Sequence, residues 1–132
     1  MRYEVLIKLG GLFHLICALF HVVYPRMFRW NKKLSNLPEI NKSIIKENLY
    51  ISNSCIFLFW LILAFLPFIY SRELLTIPLG KGLLTCIVIF WFIRIFILHP
   101  VFSDIKQRLS IIRIVFFLCG FLLFLIPWVK FI

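Results

Sequence analysis

The chain alternates between long apolar runs and short polar segments, and this pattern predicts its secondary structure. Four apolar runs stand out, at about residues 5–24, 49–70, 79–99 and 109–131. Each is close to the 20 or so residues that cross the hydrocarbon core of a bilayer as an α-helix. Runs such as 56–66 lack the strict alternation of a membrane β-strand. We therefore predict an all-α membrane protein, a four-transmembrane-helix bundle that forms a single domain over residues 1–132.

Prolines mark several of the helix ends. Pro25 and Pro100 follow the first and third runs, where a residue without a backbone N–H is expected to end a helix. Pro38 followed by Glu39 has the pattern of a helix start. The second helix is thus predicted to begin near Pro38, well before its apolar part.

Composition agrees with a location in the membrane. Of the 132 residues, 63% are hydrophobic, which is more apolar surface than a soluble domain of this length can bury. Lipid is therefore the expected solvent for the four helices, and membrane lipids are expected partners.

The chain is strongly basic, with 15 Lys and Arg against 5 Asp and Glu and a formal net charge of +10. Most of the cations lie between or beside the apolar runs, so orientation in the membrane explains them better than nucleic-acid binding, which we do not expect. The first and third connections carry more Lys and Arg than the opposite face. The positive-inside rule predicts that these two connections are cytoplasmic and that both termini lie outside.

Polar residues inside the runs are the candidates for function, because each is costly in lipid unless it has a partner. In the first run, His14, Cys17 and His21 fall on one helical face, which is expected to pack against the other helices. In the second helix, Asn48 and Ser52 share a face.

A layer of polar residues from all four helices is predicted near the cytoplasmic end. Its members are His21, Asn48, Ser52, Arg94, His99 and Arg113. Arg94 either extends its side chain to the nearby membrane surface or faces inward and attracts an anion. The inward alternative predicts a pocket for a lipid headgroup or another small amphipathic ligand. Its candidate ligand-binding residues are His14, His21, Asn48, Ser52 and Arg94.

A redox cofactor is the alternative hypothesis. His14, His21 and His99 would then bind haem or quinone, with each histidine facing a partner on another helix. No metal site is expected, because the four cysteines lie one per apolar run without the close spacing of a metal or disulfide motif. No motif identifies a catalytic residue, so the sequence leaves open both the cofactor and whether the protein is an enzyme.

Several short motifs resemble those of other membrane proteins. These are His14, His21, Pro25-x-x-Phe28-x-Trp30 and Trp91-x-x-Arg94. With them the chain resembles small four-helix proteins of bacterial inner membranes, loosely similar to DoxX-like families of unknown function. The resemblance implies a multi-pass protein of the bacterial inner (plasma) membrane, and it implies no particular activity.

These features favour a non-enzymatic protein that binds a lipid or a small amphipathic ligand at the polar layer. A second hypothesis is that the protein is an accessory subunit of a larger complex, with other proteins or further copies of this chain as its partners. A channel or transporter is a third, although the runs contain no selectivity element for it.

Overall fold

The computed structural model describes residues 2–35, 38–98 and 107–131. Within these residues 93% are helical and none belongs to a strand. The helices are Arg2–Met27 (α1), Trp30–Leu34 (α2), Glu39–Ile69 (α3), Glu73–Thr76 (α4), Pro78–Ile93 (α5) and Gln107–Phe131 (α6). A π-helical turn, Arg94–Leu98, continues α5.

Four helical segments of the described chain are long and apolar enough to cross a membrane. They are Arg2–Lys32, Asn41–Ile69, Pro78–Phe96 and Ile114–Phe131. Large apolar side chains cover their outer faces, and Ile62 and Phe65 of α3 are each 60% exposed. Such a surface is stable only in contact with lipid or with another apolar surface. The predicted all-α class with four membrane-crossing helices is therefore confirmed, and the fold is that of a multi-pass membrane protein.

The start of α3 agrees with the prediction from Pro38. The carbonyl of Pro38 accepts hydrogen bonds from the backbone N–H groups of Asn41 and Lys42, at 3.1 and 2.9 Å. The 31 residues of α3 give a helix of about 46 Å at 1.5 Å per residue. The hydrocarbon core is only about 30 Å thick, so α3 is longer than the core. The first turns of α3, which precede its apolar part, extend beyond the core.

One compact unit comprises Met1–Gly11 and Leu66–Ile132. In it the short helix α4, which the apolar pattern does not predict, packs against α5. Leu74 and Leu75 on α4 are both buried. They anchor the connection between the second and third long helices on this unit.

Helix α5 makes close contacts with α4 and with α6 within the same unit. A Cβ atom added at Gly80 would overlap the backbone carbonyl of Glu73, so α5 and α4 approach backbone to backbone. Towards α6, the indole Nε1 of Trp128 donates a 2.9 Å hydrogen bond to the hydroxyl of Thr85. This bond gives the N–H of the half-buried indole a hydrogen-bond partner.

The other compact unit is Leu12–Phe65, which contains most of α1 and α3 and all of α2. Ala18, Trp60 and Ala64 form part of its core and are 0%, 3% and 2% exposed. Small residues such as the two alanines allow membrane helices to approach closely. The single domain expected over residues 1–132 stays a prediction.

Candidate functional site

His14 of α1 forms a hydrogen bond with a backbone carbonyl of α3. Its Nδ1 lies 3.0 Å from the carbonyl oxygen of Leu63. In a regular helix that carbonyl would accept from the backbone N–H of residue 67, but Pro67 has no N–H. An unsatisfied carbonyl is costly in lipid, and His14 donates to the acceptor that Pro67 leaves open. The histidine is 0% exposed, and its ring centroid lies 5.2 Å from that of Trp60.

Asn53 of α3 makes a corresponding hydrogen bond with a backbone carbonyl of α1. Its Nδ2 donates to the backbone carbonyl of His21 at 2.9 Å, and its Oδ1 lies 2.9 Å from His21 Nδ1. The carbonyl of His21 would normally accept from residue 25, which is Pro25. A carbonyl can only accept, so the Asn53 atom facing it is the amide nitrogen. The Oδ1 atom therefore accepts from His21, and Nδ1 of this imidazole carries a proton.

The two contacts form a reciprocal pair between α1 and α3. His14 on α1 completes the hydrogen bonding of α3 at Pro67, and Asn53 on α3 completes that of α1 at Pro25. Both prolines are thereby tolerated inside helices that cross the membrane. Pairing of the two helices therefore accounts for these contacts of His14 and His21. The expectation that Pro25 ends the first helix is wrong, because α1 continues to Met27.

A series of aromatic rings leads from His21 to the end of α1. The ring of Tyr24 stacks on that of His21, with centroids 5.6 Å apart and planes 23° apart. Tyr24 also contacts Phe28 at 4.3 Å and Trp30 at 5.6 Å. Trp30 then contacts Tyr50 of α3 edge to face at 5.5 Å. These rings hold the turn after α1 and the helix α2 against α3.

A groove of about 650 Å³ opens beside these rings. Its lining residues are Val22, Pro25, Arg26, Arg29, Trp30, Asn31, Lys32 and Tyr50. Three of the eight are cations, and none of them is acidic. Val22, Pro25 and Arg26 belong to the last turns of α1, residues 29–32 follow it, and Tyr50 belongs to α3. The groove, called the cationic groove below, is therefore lined by both apolar and positively charged residues.

Arg29 has an unusual backbone in the turn between α1 and α2. Its φ and ψ are 50° and 46°, which is the left-handed conformation. Glycine and asparagine adopt this conformation readily, whereas for other residues it costs roughly 1 kcal/mol or more. Strained residues of this kind concentrate at functional sites.

The structure separates the predicted candidates of the second helix from His21. Asn48 and Ser52 lie on the exposed face of α3, while Asn53, the next residue after Ser52, faces His21. The apolar pattern did not single out Asn53. The spacing of Asn53 would have identified it, because the buried Trp60 and Ala64 lie seven and eleven residues further along the same helical face.

Arg94 lies in the unit formed by Met1–Gly11 and Leu66–Ile132, at the start of the π-helical turn. It is half-buried, and its guanidinium carbon lies 5.0 Å from the ring centroid of Phe117 on α6. Trp91, one turn before it, is fully buried and lies 5.9 Å from the same ring. Arg94 thus has an aromatic neighbour within its own unit, in keeping with a cation–π contact.

Two members of the predicted polar layer cannot be placed. His99 lies outside the described residues, and so does the side chain of Arg113. The joint layer of four helices, and the haem or quinone alternative that uses His99, stay predictions. Among the described residues no group of three or more His, Cys, Asp or Glu is arranged to hold a metal ion.

Comparison with known proteins gives no assignment. No protein-family model, no curated protein and no solved structure matches the chain at a significant level. The resemblance to DoxX-like families stays a prediction.

Proposed function

We propose that this membrane protein binds the anionic headgroup of a membrane lipid in the cationic groove. We further propose that it does so on the cytoplasmic side of a bacterial inner membrane, where positive-inside charge would place the first connection. The observation that carries the proposal is the lining of the groove, three cations without an acidic residue. Guanidinium and ammonium groups are the usual partners of lipid phosphates.

The position of the groove along α1 favours a lipid over a soluble anion. Leu19, Val22 and Val23 lie just before the cations and are 58%, 59% and 48% exposed. Trp30 and Tyr50 belong to the residue types that concentrate at the depth of the headgroups. A bound lipid would place its phosphate at the cations and its acyl chains along the exposed apolar face of α1. A soluble anion would leave these exposed apolar side chains of α1 uncovered.

The proposed activity is binding without catalysis. The eight lining residues include no carboxylate, thiol or imidazole that could act as an acid, a base or a nucleophile. His21 and Asn53 are not among the lining residues, but their contact and the ring of Tyr24 fix the end of α1 against α3.

Removing the three charges tests the proposal. In Arg26→Gln/Arg29→Asn/Lys32→Gln, asparagine keeps residue 29 compatible with its left-handed backbone. Each cation near a membrane surface contributes about 1 kcal/mol to binding an anionic lipid. We therefore expect affinity for phosphatidylglycerol to fall on the order of 100-fold, measured by native mass spectrometry of protein released from lipid nanodiscs.

The matched control is Lys8→Gln/Lys46→Gln/Lys130→Gln, which removes the same charge from three exposed positions away from the groove. It is expected to change the affinity by less than about threefold, because these charges act only through the general field of the surface. Equal losses in the two triple variants, or no loss in the groove variant, would contradict the proposal.

A further inference from the structure

We infer that the lipid bound in the cationic groove ends in a phosphomonoester, as phosphatidic acid does. The inference rests on the proposed function and names its ligand class more closely. A phosphodiester headgroup such as phosphatidylglycerol carries one negative charge and two non-bridging oxygens. A terminal phosphate carries between one and two negative charges at neutral pH and has three such oxygens.

The charge of the groove fits the phosphomonoester better. Arg26, Arg29 and Lys32 follow each other at intervals of three residues around one turn, and all three line the groove. All three side chains are exposed, and each attracts a headgroup in proportion to the negative charge that the headgroup carries. A terminal phosphate compensates more of this charge and offers each cation its own oxygen.

The hydrogen-bonding groups of the groove lead to the same ligand. Arginine and lysine side chains only donate, and the guanidinium group can donate two parallel bonds to one phosphate. The hydroxyl of Tyr50 donates to Oδ1 of Asn31 at 3.5 Å, which leaves the amide nitrogen of Asn31 as a further donor. A lining that is rich in donors matches the group with the largest number of acceptor oxygens.

The backbone of Arg29 adds an independent argument. The left-handed turn at residue 29 would form with less strain around glycine or asparagine. An arginine there supplies the third cation of the groove at the expense of local strain. Because the attraction of each cation grows with the charge of the ligand, the third cation adds more to the binding of a phosphomonoester than to that of a phosphodiester.

The experiment compares two lipids with identical acyl chains. Dioleoyl phosphatidic acid and dioleoyl phosphatidylglycerol are titrated into nanodiscs of dioleoyl phosphatidylethanolamine that contain the full chain, and bound lipid is counted by native mass spectrometry. We expect phosphatidic acid to bind about fivefold more tightly, the effect of roughly one additional charge contact. Arg29→Asn should reduce this preference to about twofold, and Lys46→Gln, an exposed position outside the groove, should preserve it.

The outcomes separate this inference from the function on which it rests. Equal affinity for the two lipids, or a preference that Arg29→Asn leaves intact, overturns the phosphomonoester and keeps the lipid site. Failure of both lipids to bind overturns the site as well. Inorganic phosphate is the competitor in a further titration and should displace phosphatidic acid only at large excess. Displacement at equal concentration would identify free phosphate as the ligand and overturn the lipid assignment.

Discussion

Gly80→Ala is expected to be among the most destabilising single substitutions in the chain. The added methyl group would overlap the carbonyl of Glu73 and lies close to the Cα atom of Leu74, both of them backbone atoms. A backbone cannot rotate away as a side chain can, so α4 and α5 would have to separate. Overpacking of this kind costs roughly 3 kcal/mol. The free energy of unfolding, measured by SDS titration from mild detergent micelles, should fall by about that amount.

Gly82 supplies the matched control two residues further along the same helix. A Cβ atom added there meets nothing within 4 Å. Gly82→Ala should leave the free energy of unfolding unchanged or raise it by up to about 1 kcal/mol, because alanine favours a helix over glycine. If the two alanine variants had the same stability, the close packing of α4 on α5 would be wrong.

His14→Leu is expected to have an effect of similar size for a different reason. Leucine fills nearly the same space but cannot donate to the Leu63 carbonyl, which Pro67 also leaves without a donor. Leaving a buried carbonyl unsatisfied costs roughly 1 to 3 kcal/mol, and the ring contact with Trp60 is lost in addition. We expect a fall of roughly 2 to 3 kcal/mol in the free energy of unfolding.

A double-mutant cycle identifies the cause of this loss. Pro67→Ala restores a backbone N–H four residues after Leu63, so His14→Leu should then cost about 1 kcal/mol less. Pro127→Ala is the control, since Pro127 is another buried proline inside a long helix, α6. His14→Leu and Pro127→Ala should have additive effects. Additive effects of His14→Leu and Pro67→Ala would show that the histidine does not serve the open carbonyl.

The four helices could be predicted from the sequence because each depends on a long local pattern. About 20 apolar residues have few alternatives to a membrane helix, and Pro38 marked the start of α3 ten residues before its apolar part. The short helix α4 was missed for the same reason. Its four residues are too few for a periodic pattern, and its place depends on the packing of Leu74 and Leu75.

The candidate site was predictable only in part. His14 and His21 stood out because imidazoles are rare in lipid, and both do face α3. Their partners could not be found from one helix at a time. Asn53 is identified by the carbonyl that Pro25 leaves open on another helix, and the relative rotation of the two helices decides that Asn53 rather than Asn48 meets His21.

The cationic groove could not be predicted from the sequence for a similar reason. The sequence places Arg26, Arg29 and Lys32 in a basic connection, which would equally suit a solvated loop that only sets orientation. Their assembly into one groove depends on the left-handed backbone of Arg29 and on the contact between Trp30 and Tyr50. Neither is a property of composition or of periodicity.

Photo-cross-linking in a membrane tests the central claim most directly. A phosphatidic acid analogue with a photoreactive group beside its phosphate is incorporated into membranes that contain the protein, and the labelled residues are mapped by mass spectrometry. We predict that adducts concentrate on residues 22–32 and on Tyr50, and that they are lost from Arg26→Gln/Arg29→Asn/Lys32→Gln. Labelling spread over all four helices in proportion to their exposure, and unchanged in that variant, would contradict a lipid site in the cationic groove.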